Sequence, residues 1–300
     1  MLQIIEPGIF TTLQDLGRVG YQKYGVTRGG AMDPRALRAA NELVGNDATA
    51  ACLEIMSNGV TLRALEKCVV ALAGAPYILR VQERAVPHNA ALYLRAGEIL
   101  QMRAPAWGCY AYLALGGGVA APQVLGSRAT ALRDGFGGWQ GRALQSGDVL
   151  EPVRAGVPLE RAGKMLDESF ARYYTDDAPL RILWGPHDEF FDAATRALFL
   201  RASFRVSELS DRQAARLQGA ALPRRAGDVL SCGVTRGAIQ VPPDGQPIVL
   251  QADHQTAGGY PILGAVIRAD IPRLAQKRAG ERVRFAETTL AQAHAAPQIK

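Results

Sequence analysis

Asp253-His254-Gln255-Thr256 puts a carboxylate, an imidazole, a carboxamide and a hydroxyl in a row, and the glycine pair Gly258-Gly259 follows, then Tyr260. Polar side chains held at a strand end beside paired glycines are how a rigid scaffold presents a small-ligand site, because glycine lets the backbone approach a ligand closely. The apolar run Ile248-Val249-Leu250 just upstream reads as the buried strand that carries the cluster. The same order of features occurs earlier, where Gly116-Gly117-Gly118 leads to Ser127-Arg128-Ala129-Thr130 and then to Gly137-Gly138. Flanking segments recur as well: Arg95-Ala96-Gly97-Glu98-Ile99-Leu100 reappears as Arg225-Ala226-Gly227-Asp228-Val229-Leu230. A Gly-acid pair closes each copy, in Gly147-Asp148-Val149-Leu150 and Gly280-Glu281-Arg282-Val283. The pattern predicts two copies of one β-rich unit, with a site built where they meet.

Each candidate has a structural reading beside the functional one. Asp253, His254, Gln255 and Thr256 either satisfy backbone groups at a strand end or touch a ligand. Gly258, Gly259 and Tyr260 form either a plain turn or a close backbone approach. Asp15 and Arg18 either pair internally to fix the first loop or belong to the site. Arg128 and Thr130, the earlier counterparts of His254 and Thr256, are either the silent half of a pseudo-dyad or part of the site. Ser210-Asp211-Arg212 reads equally as a helix cap or an anion clamp, and Asp33 reads better as a helix cap than as a catalytic acid. His88 and His187 have no partner at metal-ligand spacing, so no metal is expected. Gly-x-Ser-x-Gly is absent, which disfavours a serine hydrolase.

Three hundred residues suit two domains, and 48% hydrophobic with 21% charged residues is a globular composition. The formal charge of +6 comes from 29 Arg and 5 Lys, but no basic run exceeds two residues, so a nucleic-acid groove is not expected. Four cysteines (Cys52, Cys68, Cys109, Cys232) without Cys-x-x-Cys spacing, and an N-terminus with no basic leader, fit reduced thiols in a soluble cytoplasmic protein. Residues 104–127 lack charge, yet Pro105, Pro122 and three consecutive glycines argue against a membrane helix.

Short strands then follow one another: Leu2–Ile5, Ile9–Thr12, Leu53–Met56, Val60–Leu62, Cys68–Ala73, Tyr77–Val81, Ala91–Leu94, Ile99–Met102 and Tyr110–Leu115. That frequency predicts a barrel or sandwich rather than βαβ units. Asp33-Pro34 starts a helix that runs to Val44, where Gly45-Asn46 stops it. Residues 152–180 read as a connection. The second half offers a strand at Leu180–Trp184, a helix at Glu189–Leu200, a strand at Phe204–Leu209, a short helix at Ile271–Gln276 and a last strand at Val283–Phe285. Expected domains are 1–155 and 165–286, with 287–300 a frayed tail. Trp107, Trp139 and Phe190 are candidates for an exposed partner surface.

Taken in order, further motifs carry a resemblance across nearly the whole chain: Gln14-Asp15-Leu16-Gly17-Arg18-Val19-Gly20-Tyr21, Gly30-Ala31-Met32-Asp33, Asn41-Glu42-Leu43-Val44-Gly45-Asn46, Leu125-Gly126-Ser127-Arg128-Ala129-Thr130, Gly137-Gly138-Trp139-Gln140-Gly141-Arg142, Ser210-Asp211-Arg212 and 237–261. The sequence resembles the family of the bacterial 5-oxoprolinase C subunit, of the biotin-dependent-carboxyltransferase-like group related to the second subunit of allophanate hydrolase and to urea amidolyase. The resemblance implies a mainly β chain of two cyclophilin-like β-barrel domains. It implies a hetero-oligomer in which the B and C subunits use ATP on 5-oxoproline while the A subunit takes part in ring opening to glutamate.

Other members imply alternatives: a carboxyltransferase module acting with carboxybiotin on urea or a similar amide, or a regulatory module that antagonises a kinase inhibitor. No biotin-acceptor Met-Lys-Met, ATP-grasp region or P-loop is present, so ATP is expected to be shared with a partner subunit, and biotin enters only under the carboxyltransferase alternative. His254 stands where the family usually has Arg, and Gln213-Ala214-Ala215-Arg216-Leu217 where it usually has Met-Gly-Tyr-Arg-Leu. The first change swaps a fixed bidentate cation for a titratable ring. A lactam is a poor electrophile, so this chemistry needs oxyanion donors and a cationic clamp. Gln240, Gln255, Thr256 and the Gly258-Gly259 amides are the candidate donors, and Arg18, Arg128 and Arg212 the candidate cations.

Overall fold

The computed structural model describes residues 1–227 and 229–296. It divides into two compact units, Met1–Val19 with Gly29–Arg172, and Gly20–Arg28 with the chain from Tyr173 onward. Both are rich in short strands, so the mainly β expectation holds. No helix among the described residues is long and apolar enough to cross a membrane.

In the first unit, Pro7-Gly8 separates the strands Leu2–Glu6 and Phe10–Gln14 and sends them to different sheets, one of six strands and one of five. A Cβ at Gly8 would lie 1.9 Å from the Gly59 carbonyl oxygen, so the crossing accepts only glycine. Leu2, Ile4, Leu13, Ile55, Leu62, Leu72, Leu100 and Leu113 meet between the sheets as one core. The strands Cys68–Gly74 and Tyr110–Leu115 are buried at every position because the helix Pro34–Val44 packs against both. That helix forms where the sequence expects it: Asp33 accepts from the Ala36 amide at 3.0 Å, Pro34 opens it, and Gly45 closes it with φ of 73°.

The unit extends past the expected boundary at 155, for a visible reason. Residues 163–166 run as an added strand beside Asn89–Ala91, with Ala91 N–H donating to the Lys164 carbonyl at 2.8 Å and Leu166 N–H to that of Asn89 at 2.9 Å. A helix, Glu168–Thr175, follows, and Arg35 stacks its guanidinium 4.7 Å from the Phe170 ring centroid. The supposed connection is therefore largely structured.

The second unit holds one eight-stranded sheet whose two edge strands, Arg282–Val283 and Phe285–Glu287, are consecutive pieces of the same segment. Arg282–Val283 pairs antiparallel with Phe204–Val206, and Phe285–Glu287 pairs parallel with Leu180–Trp184. One stretch of chain thus joins both edges and closes the sheet into a barrel, which leaves no free edge there. Its core includes Ile182, Phe199, Phe204, Leu217, Ile239, Val249 and Phe285, with Phe199 and Phe285 stacked at 4.6 Å. The expected helix at Glu189–Leu200 is split into a 3-10 turn at Asp188–Phe190 and a helix at Ala193–Arg201, because Asp192 caps the latter by accepting from the Thr195 amide at 2.7 Å.

The flanking repeat has a local origin. In Arg95-Ala96-Gly97-Glu98 the Glu98 amide donates to the Arg95 carbonyl at 3.1 Å while its carboxylate takes the Arg95 amide at 2.8 Å. Gln145–Asp148 and Arg278–Glu281 make the same reciprocal turn, each with its glycine at positive φ. Arg225-Ala226-Gly227 begins like these, with Gly227 also at positive φ, and Asp228 lies outside the described residues. After the turn the copies diverge: Ile99–Arg103 is a strand, whereas Val229 and Leu230 belong to none. The shared letters there encode a turn.

Two smaller expectations are corrected. The tail expected to fray forms a helix, Leu290–Ala295, because Thr289 and Gln292 make a reciprocal capping box; residues 297–300 lie outside the described residues. Trp139 and Phe190 pack against the two cores instead of standing free.

Candidate functional site

In the second unit the strand Ile248–Leu250 delivers the polar cluster as expected. Arg212 grips Asp253 with Nε–Oδ2 at 2.7 Å and Nη2–Oδ1 at 3.0 Å, and the Asp253 amide donates to the Arg212 carbonyl at 2.8 Å. The carboxylate and the clamp expected to face substrate are thus engaged with each other, and together they pin the start of the loop. His254 is buried, at 2% exposure, with Nδ1 only 2.6 Å from the Gln255 carbonyl oxygen. A carbonyl can only accept, so Nδ1 carries the proton and Nε2 keeps its lone pair. Burial holds the ring below the ordinary imidazole range; Arg236 and Arg28 push the same way, against the Gln255 carbonyl and Asp253. At neutral pH His254 is therefore an uncharged base.

Gln255 turns back along the sheet and donates from Nε2 to Gln240 Oε1 at 3.3 Å. Gln240 is 2% exposed, and its Nε2 has no partner among the described residues. Gly258 is where it is for that amide: a Cβ there would sit 2.5 Å from Gln240 Nε2. Ala257–Gly258 pairs with Cys232–Gly233, and the Gly259 carbonyl accepts from the Val229 amide at 3.2 Å. Tyr260 is exposed and Thr256 half-buried, with no partner for the Thr256 hydroxyl among the described residues. Gln255, Gln240 and Gly258 thus come together as two carboxamides beside a glycine, with His254 and Thr256 on either side of Gln255 in the chain.

The first-unit candidates also come together, as fasteners. The Asp15 carboxylate accepts from Gly17 N at 2.7 Å, Ser127 Oγ at 2.7 Å and Arg128 N at 2.5 Å. Thr130 donates twice to the Leu13 carbonyl, from N at 2.9 Å and Oγ1 at 3.0 Å. Arg18, at 0% exposure, donates to the Ala129 carbonyl and stacks 4.6 Å from the Phe136 ring centroid. Arg128 donates from Nε to the Ala121 carbonyl at 2.9 Å. These contacts sew residues 13–18 to residues 121–136.

Gly138 lies against that seam, at φ of 54° and with its absent Cβ 1.9 Å from Thr130 Oγ1. Gly138→Ala is expected to destabilise the first unit by about 1–3 kcal/mol in urea unfolding, from strain and overpacking together. Unchanged stability would mean the seam has slack.

Sequence reading missed a second buried polar network in this unit. Glu54 Oε2 accepts from Tyr112 Oη at 2.6 Å and from the Met32 amide at 2.8 Å, while Tyr112 Oη accepts from the Asp33 amide at 2.7 Å. The available signal was an acid inside the otherwise apolar strand Cys52–Met56.

Residues 24–287 match the family model of the carboxyltransferase domain, subdomains A and B. The chain belongs to this family. It is 39% identical to the C subunit of 5-oxoprolinase from Escherichia coli K12, over 99% of this chain and 94% of that one. Identity to the corresponding C subunit from Haemophilus influenzae is 35%, over 98% and 93% of the two chains. Among solved structures, the urea amidolyase of K. lactis superposes with a TM-score of 0.88 at 26% identity, covering 98% of this chain and 19% of that one. Within this carboxyltransferase-domain chain, the motif residues expected to form one set thus serve two ends: a sewn loop pair in the first unit and a largely buried polar cluster in the second.

Proposed function

We propose that this chain is a subunit of an ATP-dependent 5-oxoprolinase complex that converts 5-oxoproline to glutamate, and that the cluster around His254 is its ring-opening site. Identity of 39% across 94% of the E. coli C subunit carries the reading. The site chemistry supports it. His254 Nε2 is a neutral base able to take a proton from the attacking water, whose oxygen bonds to the lactam carbon as the ring C–N bond breaks and the amine gains a proton. Gln240 Nε2 offers an N–H to the carbonyl oxygen as it gains charge, and the Thr256 hydroxyl is a second donor.

The helix Pro34–Val44 offers no seat for nucleotide phosphates. The glycine loop Gly29-Gly30 precedes the helix Pro34–Val44, yet the N-terminus of that helix is filled by the Asp33 carboxylate and Pro34 brings no N–H. ATP is assigned to a B-like partner, and an A-like partner completes the complex. Similarity to urea amidolyase supports a second reading, carboxyl transfer from carboxybiotin to urea or a similar amide.

The test is glutamate release from 5-oxoproline and ATP by the complex reconstituted with its B-like and A-like partners, run in parallel with urea plus carboxybiotin. His254→Ala and Thr256→Ala are expected to lower glutamate formation at least about tenfold, the worth of one lost hydrogen bond in the transition state, with assembly of the complex unchanged by size-exclusion chromatography. Full activity in both variants would move the site away from residues 253–260. An unmutated complex active on urea alone would put the carboxyltransferase reading first.

A further inference from the structure

Five neighbouring strands of the barrel come level at one end of the sheet. Ala214 is opposite Leu250, Ala238 opposite Ala265, and Ile182 opposite Val266, while the Gly237 amide donates to the Leu250 carbonyl at 2.8 Å. The residues just beyond these positions are Arg212, Gln251 to His254, Arg236, Arg268 and Arg181. Every strand of the five therefore leads into a basic side chain or the imidazole at the same end.

Two of the charges there are already balanced. Arg212 is held by Asp253, and Arg181 by Asp270 through Nη2–Oδ1 at 2.7 Å and Nε–Oδ2 at 3.0 Å. Arg28 and Arg268 are different: neither has an ion pair or hydrogen bond among the described residues. Arg28 is half-buried, and its guanidinium is pulled below its ordinary pKa first by burial and then by Arg268. His254 in turn feels Arg28 and Arg236 as cations. Gln251, also at this end, is 1% exposed, with neither side-chain oxygen nor nitrogen partnered among the described residues. A half-buried guanidinium that feels a second cation, at a barrel end where the register also gathers Arg236, Arg268 and an unpartnered buried carboxamide, is an unfavourable arrangement that an oxyanion would relieve.

We propose that Arg28 and Arg268, beside Arg236 and His254, form a receptor for the carboxylate of a small-molecule substrate. The proposal rests on placing the site around His254, and it is independent of which reaction follows. A planar carboxylate suits the forked guanidinium geometry. It also assigns His254 a double position, next to the anchored carboxylate and within the cluster that faces the reacting bond.

The experiment uses the full chain, with His254 followed by the proton NMR signals of its imidazole, assigned with His254→Gln. Titration with acetate and with L-5-oxoproline is expected to move the His254 signal in a saturable way and to raise its midpoint, since a bound anion favours imidazolium. 2-Pyrrolidinone, the same ring without the carboxylate, is expected to leave it in place. Arg28→Gln and Arg268→Gln should each weaken 5-oxoproline binding at least about fivefold, roughly 1 kcal/mol of charge-assisted hydrogen bonding. Arg268 is exposed, so its variant keeps the test alive if Arg28→Gln fails to fold. Arg268→Lys should keep most of the affinity. Equal shifts from 2-pyrrolidinone, no response to either carboxylate, or unchanged affinity in both glutamine variants would overturn the proposal. Inorganic phosphate binding more than about tenfold tighter than either carboxylate would reassign the site to a phosphoryl group. Carboxylate binding in a complex that releases no glutamate would sink the oxoprolinase reading and leave this site standing.

Discussion

Asp253→Ala is expected to lower the unfolding temperature of the second unit by roughly 6–12 °C, from a stability loss of about 3 kcal/mol. The reason lies in what remains. Arg212 keeps about 9% of its side-chain surface exposed, so its guanidinium cannot regain full hydration when the bidentate partner goes. Asp253 itself is more open, at 19%, which holds the expected loss at the lower end for a broken buried pair. Calorimetry of the full chain should show the drop in one of its transitions and leave the other unchanged, since the two units carry separate cores. Asp253→Ala combined with Arg212→Met should recover a large part of the loss, because the guanidinium leaves together with the carboxylate it grips. A single variant that melts within about a degree of the unmutated chain would show that the pair is not what pins the loop. Glutamate formation by the reconstituted complex should fall as well, since residues 253–258 hang from this clamp.

The clamp illustrates what the sequence could and could not disclose. Short apolar runs bounded by glycine and proline located nearly every strand of the first unit, because burial writes a local pattern, continuous in the central strands Cys68–Gly74 and Tyr110–Leu115 and alternating in outer ones such as Ile78–Val81. Asp33-Pro34 and Gly45 located the helix for local reasons too. The polar groups were legible as a set but not in role. Arg212 and Asp253 lie far apart in the chain, and only the pairing of Ala214–Gln218 with Ile248–Leu250 brings them face to face. The same holds for Asp15, which looked like a candidate site carboxylate until its three donors, two of them more than a hundred residues away, were in place.

Arg28, Arg236 and Arg268 were invisible for a related reason. Arg236 precedes one strand and Arg268 follows another in unremarkable contexts, and only the strand register sets them at one end of the barrel, while Arg28 belongs to a segment, Gly20–Arg28, that the chain lends to the second unit. Barrel closure was equally hidden. Val283–Phe285 reads as one final strand, and the backbone of residues 282–287 serves both edges by shifting partner at Arg284. The repeat of Arg-Ala-Gly-acid was legible, and its local cause is a reciprocal turn that needs the glycine and the acid wherever it occurs.

The largest effect in the first unit is expected at Tyr112, where Tyr112→Phe should cost about 3–5 kcal/mol, roughly 10 °C in the unfolding temperature of that unit. The phenol is fully buried and pushed well above its ordinary pKa, by burial first and by the Glu54 and Asp33 charges next, so it stays protonated at any working pH. It has one hydrogen, which it gives to Glu54 Oε2 at 2.6 Å, and it takes the Asp33 amide at 2.7 Å. Phenylalanine preserves the packed volume and removes both contacts at once. The Asp33 N–H and a carboxylate at 3% exposure then each lose a partner where water does not easily replace it. The loss is transmitted along the chain, because the Met32 and Asp33 amides fixed by this network precede Pro34, and the Asp33 carboxylate caps the helix that covers both central strands. Helix content by circular dichroism should therefore fall ahead of the β signal as the variant is heated. A drop of less than about 2 °C would mean that the network is satisfied by water and that the helix is held by its apolar face alone.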